Sequence, residues 1–379
     1  MTKNNIPNST FIYDEALSSY SIGDTHPMKP IRLSYVAELL QSYGLFNSPK
    51  TTMIKPQTAS EEDLLAFHTP EYINAVKNFN INTNYNTPNK FNLGYGDNPI
   101  YPDMYASATL VVGASILAAN HIYSGKYDVI FNIAGGLHHA MPNNASGFCI
   151  FNDPVIAIKT LMDFGLKTAY IDIDCHHGDG VQQAFYDTDQ VLTISIHESG
   201  KYLFPGTGFT NEIGIGKGKG YSINIPLHPY TNDDIYLEVF ENIVPRLIDL
   251  FHPDVIVSQL GIDSHYSDPL THLNLTVQGY SKIVHTIKTF NYPWLALGGG
   301  GYNLQAVSRA WAKAFSLMAN YDLPDEIPYV YKSKHKVSTI NDFTQPQLSI
   351  AMRETVKDSA HKSMLEIENM IFPLLMNHT

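Results

Sequence analysis

Short apolar runs recur through the chain at residues 127–133, 168–174, 191–197, 221–227, 254–260 and 293–297. Each is too short for a core helix and too continuously apolar for a strand with one wet face, which predicts strands buried on both sides. Between several of them the apolar residues fall at helical spacing. Asp153-Pro154 predicts an N-cap followed by a proline at the first helical position, with Gly165 closing that helix. Residues 232–251, 276–290 and 303–320 predict further helices. Upstream, Ile31, Tyr35, Val36, Leu39 and Leu40 mark a helix over 30–44 that stops at Gly44, and 70–78 gives a shorter one. Residues 80–101, rich in Asn, Gly and Pro, predict a long loop, a feature more often functional than idle. Asp103 then caps a helix running toward Tyr123.

Strands alternating with helices predict an α/β protein with a mostly parallel central β-sheet covered by helices on both faces. No repeat, low-complexity tract or linker divides the chain, so residues 1–379 are expected to form a single domain. A hydrophobic content of 44% against 16% charged residues is enough for a substantial core. No apolar run approaches the length needed to cross a bilayer, the N-terminus is polar, and no basic nuclear-import run stands out. Two cysteines argue against a disulfide framework and suit a reducing compartment. The expectation is a soluble intracellular protein, and a formal charge of −12 argues against direct nucleic-acid binding.

Chemistry enters where polar residues interrupt the apolar pattern. Asp172, Asp174 and His176 follow one another at a spacing of two, so an extended chain projects them on one face. Unpaired buried carboxylates are costly there, and a cation would remove the cost; a solvated strand end is the plainer alternative. Gly135-Gly136-Leu137-His138-His139, Gly261-Ile262-Asp263 and Gly298–Gly301 before Tyr302 each follow another of the apolar runs. In open parallel sheets ligands bind beyond the carboxyl ends of the strands, so the fold would gather all four motifs at one rim. Asp174, His176 and Asp263 would then give zinc three ligands and leave a fourth position open. Either histidine could serve as a base, with Asp172 and Asp179 each orienting one imidazole. Tyr302 would aim its phenol at a developing oxyanion, an interaction worth roughly 3–4 kcal/mol.

Taken together these residues resemble the zinc-dependent histone deacetylases of the class I type, in the arginase/deacetylase superfamily. The matching stretches run in family order: His26-Pro27-Met28-Lys29-Pro30 with Arg32, Gly135 to Ala140, Ala145 to Cys149, Asp172 to Gly180, Phe204 to Gly208, Gln259 to Asp263, and Gly298 to Asn303. The resemblance implies the arginase/deacetylase fold and hydrolysis of the acetyl-lysine side-chain amide in proteins or peptides, with histone tails among the candidates. It implies one catalytic Zn2+ on Asp174, His176 and Asp263. His139 corresponds to the general base and later acid, His138 to its electrostatic partner, Asp179 and Asp172 to their carboxylates, and Tyr302 to the carbonyl-polarising phenol. Phe148, Phe204, Gly147 and Leu270 correspond to the walls of the acyl-lysine tunnel, and Asp97 to a rim aspartate that accepts substrate backbone N–H groups. Structural K+ is implied at two sites, the first using Asp172, Asp174, His176, Ser195 and Ile196, the second Phe185, Thr188, Val191 and Tyr221.

Departures from the family pattern qualify these expectations. Leu137 stands where a tryptophan is often found, which predicts a wider inner cavity near Arg32. Lys29 is retained, but Pro269 and Gln305 replace arginines that hold inositol phosphate in corepressor-bound members, so no inositol-phosphate dependence is expected. A two-manganese ureohydrolase is disfavoured because Gly178 and His265 stand where it would need acids. A deacetylase of acetylpolyamines or other small acetylated amines shares the same chemistry and differs only at the rim. A catalytically silent binding module has no reason to keep the ligands, both histidines and Tyr302 together.

Overall fold

The computed structural model describes residues 9–79, 90–94 and 96–376. Its sheet has eight strands: β1 (Ser9–Ile12), β2 (Thr51–Ile54), β3 (Val129–Asn132), β4 (Thr168–Asp172), β5 (Val191–Glu198), β6 (Ser222–Leu227), β7 (Val255–Gln259) and β8 (Trp294–Leu297). The spatial order is β2-β1-β3-β8-β7-β4-β5-β6, and every neighbouring pair is parallel. After β3 the chain leaves a gap, builds β4, β5 and β6 outward, and returns to fill the gap with β7 and β8. The strands preceding the four polar motifs are therefore the contiguous set β3-β8-β7-β4. At about 4.8 Å per strand, their ends span only about 15 Å.

Alternation along each strand divides the core in two. Phe131, Ile171, Ile256 and Ala296 pack on one face against helices Ile31–Ser42, Asp233–Phe251, Val277–Thr289 and Leu304–Met318. Ile130, Tyr170, Val257 and Leu295 point to the other, where helices Met104–Tyr123 and Asp153–Asp163 lie. Helix Ile350–Met370 turns Val356, Ala360, Ser363 and Ile367 inward and covers edge strand β6, with the Ser363 hydroxyl donating to Pro226 O at 2.8 Å. Covering an edge removes a template for unwanted strand pairing.

The structure corrects several sequence expectations. The N-cap of helix Asp153–Asp163 is Asn152, whose side chain accepts from Val155 N–H. Asp153 instead accepts from the Gly136 and Leu137 amides at 3.1 and 2.9 Å and from the Ser115 hydroxyl at 2.6 Å. Asp103 occupies an N-cap position with φ at +59°, but its side chain makes no cap bond. Helix Met104–Tyr123 is long and apolar enough to cross a membrane by length and composition, contrary to the expectation of no such run; 61% of its most apolar stretch is buried inside the fold. β1 and β2 had no counterpart among the expected strands, nor did helices Asp179–Ala184, Tyr329–His335 and Ile350–Met370 among the expected helices. Of the loop expected over 80–101, residues 80–89 and 95 lie outside the described residues.

Candidate active site

β4 ends at Asp172, so the alternation expected through His176 stops short. Asp172 belongs to the strand and turns to the histidine loop; Asp174 and His176 stand on the bend that follows. His176 Nδ1 lies 3.1 Å from Asp174 Oδ1 and 2.9 Å from Asp263 Oδ2. One donor atom from each residue fits within 4.8 Å of the others, and all three residues are buried. Burial and the neighbouring Asp174 push the Asp263 carboxyl up to about 7. For Asp174 burial works in the same direction, but the His138 and His176 imidazoles outweigh it and hold its carboxyl well below the usual range. Two carboxylates and an imidazole nitrogen converging in a low-dielectric pocket form a donor set that suits a divalent ion such as zinc.

Each of the paired histidines is anchored by its own carboxylate. His138 Nδ1 lies 2.7 Å from Asp172 Oδ2, which also accepts the Tyr170 hydroxyl at 2.7 Å. His139 Nδ1 lies 2.7 Å from Asp179 Oδ1. Burial alone would lower both imidazoles. Asp172 and Asp174 overcome it at His138 and raise its pKa to about 9. At His139, burial and the adjacent His138 charge win, and the pKa falls to about 4. One ring of the pair is thus favoured as the cation and the other as the neutral base.

The glycine run after β8 delivers Tyr302 to the same space. Its backbone amide donates to Asp268 Oδ2 at 2.8 Å, and Asp268 Oδ1 accepts from Leu270 N–H at 3.0 Å. The Arg32 guanidinium donates to the carbonyls of Gly301 and Gly299, both at 2.7 Å, bracing the run from behind. Burial pushes the Tyr302 phenol well up, so it stays protonated and able to donate. The ring packs edge-on to Phe148, with centroids 5.6 Å apart, while Phe204 packs edge-on to His139 at 5.1 Å. Gly147, at φ +49°, passes so close that a β-carbon would lie 2.5 Å from the His139 ring. The backbone carbonyl of Asp97, itself exposed, lies 3.1 Å from the His26 ring, which packs against Phe148. Leu137 and Arg32 line an inner cavity of about 40 Å³ behind these groups.

Of the residues assigned to potassium by resemblance, the first set lies beside this centre and the second at the amino ends of β5 and β6. Ser195 pairs with Asp172 in the β4–β5 ladder and Ile196 follows it. Phe185, Thr188 and Val191 run from helix Asp179–Ala184 into β5, and Tyr221, just before β6, accepts from Thr193 N–H at 2.9 Å. Lys29 donates to the backbone carbonyls of Gly23 and Asp24. Pro269 lies between Asp268 and Leu270, and Gln305 stands in the first turn of its helix. Sequence reasoning gave no role to Tyr170, Asp268 or Gln259 and read Asp153 only as a helix cap. Tyr170 had one available signal, standing two residues before Asp172 on the same strand face.

A parallel α/β sheet with this cluster at its carboxyl edge defines the arginase/deacetylase fold class. A family model described as the histone deacetylase domain matches residues 26–318. The chain is 42% identical over 328 residues to the acetoin utilization protein AcuC of Bacillus subtilis, covering 84% of each. It is 40% identical over 338 residues to histone deacetylase B of Dictyostelium discoideum, covering 87% of this chain and 79% of that one. With histone deacetylase 1 of Homo sapiens it shares 39% identity over 322 residues, 84% of this chain and 66% of the relative. A solved histone deacetylase homologue from Aquifex aeolicus superposes with a TM-score of 0.86 at 33% identity, covering 94% of this chain and all of that one (100%). A homologue solved in complex with SAHA gives 0.84 at 32%, with the same coverage. The chain belongs to the histone deacetylase family, and it is a histone-deacetylase-like hydrolase.

Proposed function

We propose that the chain, acting as one catalytic domain, is a zinc-dependent hydrolase that removes acetyl groups from the ε-amino group of lysine in proteins or peptides. The observation that carries this reading is the single buried space shared by the Asp174–His176–Asp263 cluster, the His138–His139 pair and Tyr302. Bound to Asp174, His176 and Asp263, zinc would supply a Lewis acid that polarises the amide carbonyl and acidifies water. His139 is the residue of the pair held neutral, the state required to take a proton from water. Asp179 fixes its Nδ1–H and so leaves the lone pair at Nε2. His138, held as the cation by Asp172, steadies the negative charge that builds as water adds to the carbonyl carbon. The Tyr302 phenol donates to the carbonyl oxygen as it becomes an oxyanion. His139 then returns the proton to the departing amine nitrogen; the C–N bond breaks and acetate and free lysine result.

Phe148 and Phe204 offer apolar faces to the four-carbon stem of lysine, Gly147 leaves room between them and the catalytic ring, and Leu270 and Asp97 stand at the mouth. The family's K+ would be held by the two residue sets around Ser195 in β5 and Tyr221 ahead of β6, partly through backbone carbonyls, which suit a hard monovalent cation. A second reading, in which the substrate is a small acetylated amine, uses the same catalytic groups and differs only at the rim. One preparation assayed against acetylated histone-tail peptides and acetylpolyamines decides between them. A peptide preference is expected, and a strong polyamine preference would overturn the protein-substrate reading.

A further inference from the structure

We infer that Gln259 is a positioning residue that couples the metal-ligating carboxylate of Asp174 to the loop carrying the two histidines; this rests on the metal-site reading above. Gln259 closes β7, sits between Asp172 of β4 and Leu297 of β8 in the ladder, and is fully buried. Its Nε2 donates to Asp174 Oδ2 at 2.6 Å and to the carbonyl of Gly136 at 3.2 Å. Its Oε1 accepts from Gly261 N–H at 2.7 Å. That last bond sets the amide's orientation, because a backbone N–H can only donate and must face the oxygen. The NH2 group therefore points at Asp174 and Gly136, and one side chain touches the Asp174 bend, the histidine loop and the turn leading to Asp263.

The consequence for Asp174 is specific. Its Oδ2 takes two donors, Gln259 Nε2 and the Gly300 amide at 2.7 Å, which fixes the rotation of the carboxylate. Oδ1 is thereby turned toward His176, 3.1 Å away, where a metal would sit. The surrounding backbone is shaped to admit the amide. Gly299 has φ at +134°, and a β-carbon there would come within 2.3 to 2.6 Å of Gln259 Nε2, Cδ and Oε1. Partners that orient metal ligands typically change affinity by about 10–100-fold when removed.

The test is competition titration of Zn2+ and Co2+ against a chelator for wild type, Gln259→Glu and Gln259→Met, alongside the Tm of each metal-free protein. Gln259→Glu keeps shape and the Gly261 acceptor but turns an oxygen toward Asp174; Gln259→Met keeps volume and loses every bond. A folded variant of either kind should bind metal about 10–100-fold more weakly, and Gln259→Glu, which buries a second carboxylate against Asp174, should also lower the metal-free Tm. Affinity within twofold of wild type in a folded variant would overturn the inference. Should neither variant fold, wild-type protein labelled at its glutamine amides serves: the Gln259 side-chain NH2 resonances are expected to shift on adding Zn2+, and unmoved resonances would overturn the inference. If wild type itself takes up no metal, the site reading fails instead, an outcome the titration separates from failure of Gln259 alone.

Discussion

Nε2 of His138 lies 3.0 Å from Nε2 of His139, so at most one of the two facing nitrogens carries a hydrogen. Which ring holds it is set by what each Nδ1 faces: Asp172 for His138 and Asp179 for His139. Replacing Asp179 by Asn removes the negative charge beside Nδ1 of His139, while the Gly180 amide, which donates to the same Oδ1 at 2.9 Å, keeps an oxygen toward the ring. Asp179→Asn is expected to lower kcat by about 10²–10⁴-fold with metal content unchanged. Steady-state kinetics with metal analysis checks this, and near-wild-type turnover would remove His139 from the base role.

Tyr302→Phe removes one hydroxyl and little else, since the backbone amide bound to Asp268 and the ring packing against Phe148 both survive. A lost oxyanion donor costs about 3–4 kcal/mol, or about 10²–10³-fold in kcat. Tm and metal content should match wild type. Turnover within a few-fold of wild type would show that the phenol does not meet the carbonyl.

Gly147 allows a test of the tunnel. Its φ of +49° disfavours any side chain, and an added β-carbon would approach the His139 ring to 2.5 Å and Phe204 Cε1 to 2.9 Å. Gly147→Ala is expected to push both rings out of place, lowering kcat/KM by at least about tenfold and Tm by several degrees. An alanine variant with unaltered kinetics would mean that the aromatic walls lie elsewhere when substrate is bound.

Much of this site was legible because it depends on residue type at strand ends. Asp174, His176, His138, His139, Asp263 and Tyr302 are polar interruptions of apolar runs, and a parallel sheet sends such positions to one edge. The strand order was not legible: nothing in the local pattern says that β7 and β8 return to the gap between β3 and β4. β1 and β2 escaped because four residues apiece, two of them Ser or Thr at the front, carry too little apolar signal. Helix Ile350–Met370 escaped because its buried stripe is narrow and flanked by charge. Gln259 went unassigned and Asp153 was read as a cap because their partners, the Asp174 carboxylate and the Gly136 amide, are distant in sequence.

Asp342 supplies a pH-dependent contribution to stability away from the ligands. Burial opposes its charge, but His265, the Val277 amide and Arg309 outweigh it and bring the carboxyl from 3.8 down to about 2. A depressed carboxylate stabilises the fold above its unfolded pKa, and that contribution fades as pH falls from about 4 toward 2. After allowing for solvent screening it is about 1–2 kcal/mol. In urea titrations the stability gap between wild type and Asp342→Asn should be full at pH ~5 and narrow toward pH ~3. A gap that stays constant would show that Asp342 acts through packing alone.

Acetate release from an acetyl-lysine peptide, followed before chelation, after it, and during stepwise return of Zn2+, tests the central claim most directly. Activity should vanish with the metal and return in full at one zinc per chain, while Asp263→Asn should recover neither zinc nor turnover. Undiminished acetate release from protein whose zinc lies below detection would contradict it.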